Sequence, residues 1–115
     1  MVTLTLPKIP PSVNNLFINV GKRRIVSQRY DEWRQLAGWE LQRQRPEKVT
    51  GPVRLSYEFG EPDRRKRDLG NLEKAATDLL VAHGVIEADD NSVVREIRLT
   101  WAPVEGVRIT IEPIA

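Results

Sequence analysis

In the stretch "GPVRLSYEF", Val53, Leu55, Tyr57 and Phe59 alternate with Arg54, Ser56 and Glu58. Successive side chains of an extended chain point to opposite faces, so this period of two predicts a strand with one face in a core and the other in water. Such a strand belongs to a sheet covered on one side by other elements. "VTLTL" (2–6) repeats the pattern with Val2, Leu4 and Leu6. "VVREIRLTW" (93–101) and "VRITIE" (107–112) read as two more strands, joined by "APVEG" as a short hairpin.

Helical periodicity fills the gaps between these strands. Ser27 is placed to cap a helix through "QRYDEWRQLAGWELQRQR" to about Arg45, with Pro46 beyond. Its apolar stripe is Tyr30, Trp33, Leu36, Ala37 and Leu41. Trp39 falls off that stripe, which suits either a partly exposed aromatic or a contact with a partner helix. A second helix is expected over 69–83, with Leu72, Ala76, Leu79, Leu80 and His83 on one face and Gly84 as its stop. "PKIPPSVNNLF" and "NVGKRRIVS" between the first strand and the first helix read as a long loop. The order β-α-β-α-β-β predicts an α+β fold, two helices packed on one face of a four-stranded mixed sheet. The 115 residues suit one domain, 1–115. At 40% hydrophobic residues the core is modest, and dimerisation is one way to complete its burial.

The absence of cysteine excludes disulfides, thiolate zinc sites and cysteine nucleophiles. His83 is the single histidine, so a metal would be held by oxygen, which favours Mg²⁺, Mn²⁺ or Ca²⁺. The N-terminus lacks a signal-peptide core and no apolar run approaches membrane-spanning length, so a cytoplasmic protein is expected. The net charge is only +2, from 18 Lys and Arg against 16 Asp and Glu, so the distribution of charge matters more than its sum.

That distribution peaks in "DRRKRDLGNLEKAATDLL" (63–80). Arg64, Arg65, Lys66 and Arg67 run into Asp68, which is placed as the N-cap of the second helix. On the helical wheel Asn71, Lys74 and Asp78 fall together opposite the apolar face. Each feature alone has a structural explanation: a cap, an i,i+4 ion pair, a solvated basic loop. Together they have the parts of a phosphodiesterase. Carboxylates hold a divalent ion, a lysine stabilises the departing oxygen, and arginines grip the backbone. A second acidic group, Glu87, Asp89 and Asp90, follows in "GVIEADDNSVV". A 15-residue helix is about 22 Å long. Residues 84–90, extended at ~3.3 Å each, span about the same distance back. The acids can therefore return to Asp68 within one subunit, and assembly across a dimer interface stays open.

These segments resemble the RusA family of Holliday-junction resolvases. The resemblance covers nearly the whole chain: "PPSVNN" (10–15), "GKRRIVSQRYDEW" (21–33) and above all "RRKRDLGNLEKAATDLL" with "HGVIEADDNSVV". The family pattern is a basic run, D-x-D-N-x-x-K-x-x-x-D, then a glycine and a paired D-D before a strand. Asp68, Asn71, Lys74, Asp78, Gly84, Asp89 and Asp90 match it. The resemblance implies a small homodimer that binds four-way DNA junctions and nicks two strands symmetrically with Mg²⁺, or with Mn²⁺ in its place. Asp68, Lys74 and Asp90 would be catalytic. Asp68 and Asp90, with Asp89 beside them, would hold the metal, and Asn71 and Asp78 would support the site. Arg64, Arg65, Lys66 and Arg67 would touch phosphates, and Lys22, Arg23 and Arg24 are further DNA contacts. Two positions depart from the pattern. Gly70 replaces the second Asp, which implies either another carboxylate (Glu73, Asp89 or Glu87) or an added water in its place, or a junction binder whose cleavage is weak or lost. One extra residue, Ala88, precedes the acidic pair, and spacing to the following "VV" favours Asp90 as the main ligand.

Overall fold

A computed structural model describes residues 1–114. Its elements are β1 (Val2–Leu6), β2 (Phe17–Val20), β3 (Arg23–Val26), α1 (Gln28–Arg43), β4 (Val53–Phe59), α2 (Glu73–Ala82), β5 (Val94–Trp101) and β6 (Val107–Pro113). The main sheet runs β1-β6-β4-β5. β4 pairs with β5 in parallel and with β6 antiparallel, so the sheet is mixed. The fold is the expected α+β arrangement.

The alternation in β4 does what the sequence predicts. Val53, Leu55, Tyr57 and Phe59 are buried, as are Val107, Ile109 and Ile111 on the neighbouring β6. Onto them pack Tyr30, Trp33, Ala37 and Leu41 of α1 and Ala75, Ala76, Leu79 and Leu80 of α2. The other sheet face is a lattice of charge. Arg108 sits opposite Glu58 and makes two hydrogen bonds to it, at 2.8 and 2.7 Å. Arg54 reaches both Glu96 and Glu112.

Four expectations need correction. The segment before α1 is not simply a loop. A 3-10 turn at Val13–Asn15 leads into a separate antiparallel ribbon, β2–β3. Gly21, at φ 61°, supplies the left-handed residue that a two-residue hairpin turn demands. β5 and β6 are not a hairpin either. β5 reaches β4 in parallel through α2, and β6 takes the other edge of β4, where it pairs on both sides. The connection crosses the end of β4 so closely that a Cβ on Gly60 would lie 1.7 Å from the Val104 carbonyl oxygen. α1 stops at Arg43 because Arg45 turns left-handed (φ 49°) and the Gln44 amide bonds the Thr5 backbone at 2.9 and 2.7 Å. Along α1, Leu36 is half exposed and Gly38 is buried instead. Trp39 lies well off the core, 64% exposed.

Candidate active site

The start of the second helix is where local structure departs most from expectation. Residues 69–83 are not one helix. A 3-10 turn, Leu69–Asn71, precedes α2, whose N-cap residue is Leu72. Neither start has a side-chain cap, so Asp68 does not spend its carboxylate on backbone amides. Among the described residues that carboxylate meets only the Asn71 amide nitrogen, at 3.4 Å. Asp68 and Asn71 open into a cavity of about 560 Å³, bounded also by Ser12 of the proline-rich loop, Arg29 and Trp33 of α1, and Lys66.

One turn further on, the Lys74 ammonium donates to Asp78 Oδ1 at 3.0 Å and to Asp89 Oδ2 at 3.2 Å. The Asp78 bond, then the Asp89 bond, raise the Lys74 pKa and keep it cationic. The acidic loop thus reaches the outer face of α2, and Asp89 is the member that meets the lysine. Asp90 is engaged with Ser92 instead. Its Oδ1 accepts from the Ser92 hydroxyl and from the Ser92 backbone N–H at 2.9 Å, which holds its carboxyl below the ordinary value. Among the described residues no three carboxylate or histidine side chains converge as a metal site within the chain.

The basic run is not four equivalent cations. Arg67 clamps Asp63 at 2.6 and 3.0 Å, and Arg65 adds its backbone N–H at 2.9 Å and its Nε at 3.2 Å. These bonds, led by Arg67, hold the Asp63 carboxyl far below the usual carboxylate range. Among the described residues Arg64 and Lys66 form no ion pair, nor do Lys22, Arg23 and Arg24 on the ribbon.

On the inner side of α2 lies a chain of hydrogen bonds that the sequence reading did not find, although it named Glu73 as a carboxylate that could stand in at Gly70. The Thr77 hydroxyl donates to Glu73 Oε2 and lies 2.6 Å from the Tyr57 phenol oxygen. A hydroxyl has one proton and a carboxylate oxygen only accepts, so the order is Tyr57 to Thr77 to Glu73. Burial pushes the Tyr57 pKa up and keeps the phenol a donor. This chain ties the uncapped first turn of α2 to the central sheet. The signal for it was a lone threonine inside the apolar run "AATDLL", opposite a tyrosine on a buried strand face.

The donors fit a hard divalent ion. All are oxygens, and Mg²⁺ commonly takes one or two carboxylates with the rest from water and substrate phosphate. The three carboxylates named as replacements for the acid at Gly70 are each engaged: Glu73 with the Thr77 hydroxyl, Glu87 with the Gly51 backbone N–H and Asp89 with Lys74. The glycine itself is not needed for packing, because a Cβ there would meet nothing within 4 Å.

Exposed acids, a lysine between two of them and cations around an open cavity define a small α+β domain with the parts of a phosphodiester-processing site. The chain belongs to the family described as Endodeoxyribonuclease RusA, whose sequence profile matches residues 7–112. It is 30% identical to the crossover junction endodeoxyribonuclease RusA of Aquifex aeolicus (strain VF5), over 97% of this chain and 91% of that protein. The protein of the same name from Escherichia coli (strain K12) is 44% identical over 61 residues, 52% of this chain and 49% of that protein. The one from Enterobacteria phage 82 is 43% identical over the same shares.

Proposed function

We propose that the chain is a divalent-metal-dependent endodeoxyribonuclease that binds four-way DNA junctions as a homodimer and nicks two opposed strands. The observation that carries this reading is the Lys74 ammonium held by Asp78 and Asp89, six residues along the chain from Asp68, whose carboxylate caps no helix. Asp68 and Asp90, with Asp89 beside them, would hold Mg²⁺ or Mn²⁺. Such an ion, when bound, neutralises phosphate charge and makes water a nucleophile near neutral pH. Lys74 gives its proton to, or stabilises, the departing oxygen, while Asp78 keeps it charged and aimed. Asn71 steadies Asp68. Arg64 and Lys66 grip phosphates first, and Arg65 and Arg67 follow if phosphate displaces Asp63. Two-fold symmetry suits a substrate with two equivalent strands. The chain's place of action is the cytoplasm, as a protein of bacterial or phage origin.

Incubating a four-way junction with Mg²⁺ or Mn²⁺ tests the reading. Paired nicks are expected, and Asp68→Asn should strongly reduce them by weakening the hold on the metal; a retained junction under both metals overturns it. Gly70 favours a second reading, a junction binder whose cleavage is weak or lost. Since the space beside Gly70 is open, Gly70→Asp restores a carboxylate without a clash. A cleavage rate that rises strongly in this variant supports the second reading. An unchanged rate shows that a ligand is not missing.

A further inference from the structure

The β2–β3 ribbon breaks the usual rule for a protein surface. It pairs only with itself, Phe17 to Val26 and Val20 to Arg23, and joins no other sheet. Isolated two-stranded ribbons are marginal in water. This one is pinned at its base, where Ser27 N–H donates to the Leu16 carbonyl at 2.9 Å, Ser27 Oγ donates to the Asn15 carbonyl at 2.7 Å, and Phe17 packs edge-on against Tyr30. Beyond that base Ile18, Asn19, Val20, Lys22, Arg23 and Arg24 are exposed and Ile25 is half-buried. Residues directly opposite share a face, so Ile18, Val20, Arg23 and Ile25 lie on one side. Ile18 is 48% exposed and Val20 53%. On the other side Arg24 stacks over the Phe17 ring at 4.4 Å.

Charge decides what this surface meets. The first thirty residues hold five Lys and Arg and no Asp or Glu. In a two-fold contact between copies, the same patch would face itself and oppose like charges. A polyanion matches it instead. Phosphates alone give exposed isoleucine and valine nothing, however; apolar side chains on DNA gain contact at the faces of unstacked bases. A branch point offers such faces at lower cost than an intact duplex, and a two-stranded ribbon fits the width of a major groove. The ribbon also borders the candidate site. Its anchor Tyr30 stacks on Trp33, ring centroids 6.4 Å apart, and Trp33 bounds the cavity into which Asp68 opens.

We propose that the β2–β3 ribbon is a wedge that enters the branch point of a DNA junction, with Ile18 and Val20 against exposed base faces and Lys22, Arg23 and Arg24 on the flanking phosphates. This rests on the reading that the substrate is branched DNA.

The test uses the whole protein and a four-way junction carrying 2-aminopurine beside the branch point, in Ca²⁺ or EDTA so that cleavage does not intervene. Wild type is expected to raise the fluorescence on binding, as a base loses its stacking partner. The double variant Ile18→Ser with Val20→Ser, whose sites are exposed, should melt like wild type and lose that rise. Its junction affinity should fall ~10-fold or more with little change on linear duplex. Lys22→Ala should weaken both DNAs alike and flatten the salt dependence. Wild-type preference for the junction without a fluorescence rise overturns the wedge and leaves the proposed function standing. A double variant that keeps the rise also overturns it. So does a double variant that sediments as a monomer where wild type sediments as a dimer, since the patch is then a contact between copies. Equal wild-type affinity for junction and duplex removes the branched-substrate reading itself.

Discussion

Two side-chain pairs begin one residue apart on α2 and meet opposite surroundings. Glu73 and Thr77 are four residues apart and face the sheet, where Thr77 is buried and linked to Tyr57. Lys74 and Asp78 are also four apart and face water, 3.0 Å from one another and beside Asp89. One residue is about 100° of helix, enough to carry a pair from the core to the solvent. The inner pair fixes where the helix starts, in place of a cap that neither Asp68 nor Leu72 provides. The outer pair leaves a cation poised and its acids accessible. Stability and chemistry are thus separated by a single step along the chain, and substitutions on the two sides should fail in different assays.

The largest effect is expected outside. Lys74→Ala should lower junction cleavage by about 10²- to 10⁴-fold, the range of a lost proton donor. The thermal midpoint should hardly move, since an exposed pair contributes little to folding. Single-turnover cleavage with a melting curve on the same preparation checks both halves. A variant that cleaves like wild type removes Lys74 from the mechanism.

Inside, the effect should be on folding. Thr77→Val keeps the shape and leaves the buried Tyr57 hydroxyl without its acceptor, at a cost of about 1–3 kcal/mol. Urea unfolding measures it, and Thr77→Ser should recover most of the loss. If valine proves as stable as threonine, the inner pair is not what holds the helix start.

The two pairs were not equally legible in the sequence. Asn71, Lys74 and Asp78 stand out because a wheel needs only the helical period, and the motif around them has fixed spacing. β4 is equally plain, because strict alternation has one physical meaning. The inner chain needs the register of α2 over β4, which only tertiary packing sets. Packing also decides the place of β6, because "APVEG" reads the same whether its strands pair or straddle a third. Asp63 stands beside the basic run in sequence, yet nothing local says that it will hold Arg65 and Arg67. The ribbon did carry a signal, Gly21 between two runs of β-branched residues, which the prolines and asparagines before it obscured.

A pH experiment sharpens the inner side. The folded-state pKa of Tyr57 lies above the unfolded value of about 10, chiefly from burial. The folded protein therefore holds this proton more tightly than the unfolded chain. The contribution is fully present below pH ~10 and is lost as pH rises above it, by about 1.4 kcal/mol per unit for one proton. Tyr57→Phe should unfold less steeply with pH between about 10 and 11 than wild type. Equal slopes would mean that the phenol is already open to solvent.

The smallest effect belongs to Asp78. Asp78→Asn removes one partner of Lys74 and leaves Asp89 at its other side, so the ammonium stays charged and near its place. An exposed i,i+4 pair contributes about 0.3–0.5 kcal/mol, and salt screens it. Urea unfolding at low and at high salt should therefore separate this variant from wild type only at low salt, by less than the Thr77→Val loss. Equal or greater destabilisation at both salt concentrations would mean that the outer face of α2 also anchors the fold, and the division between the two pairs would fail.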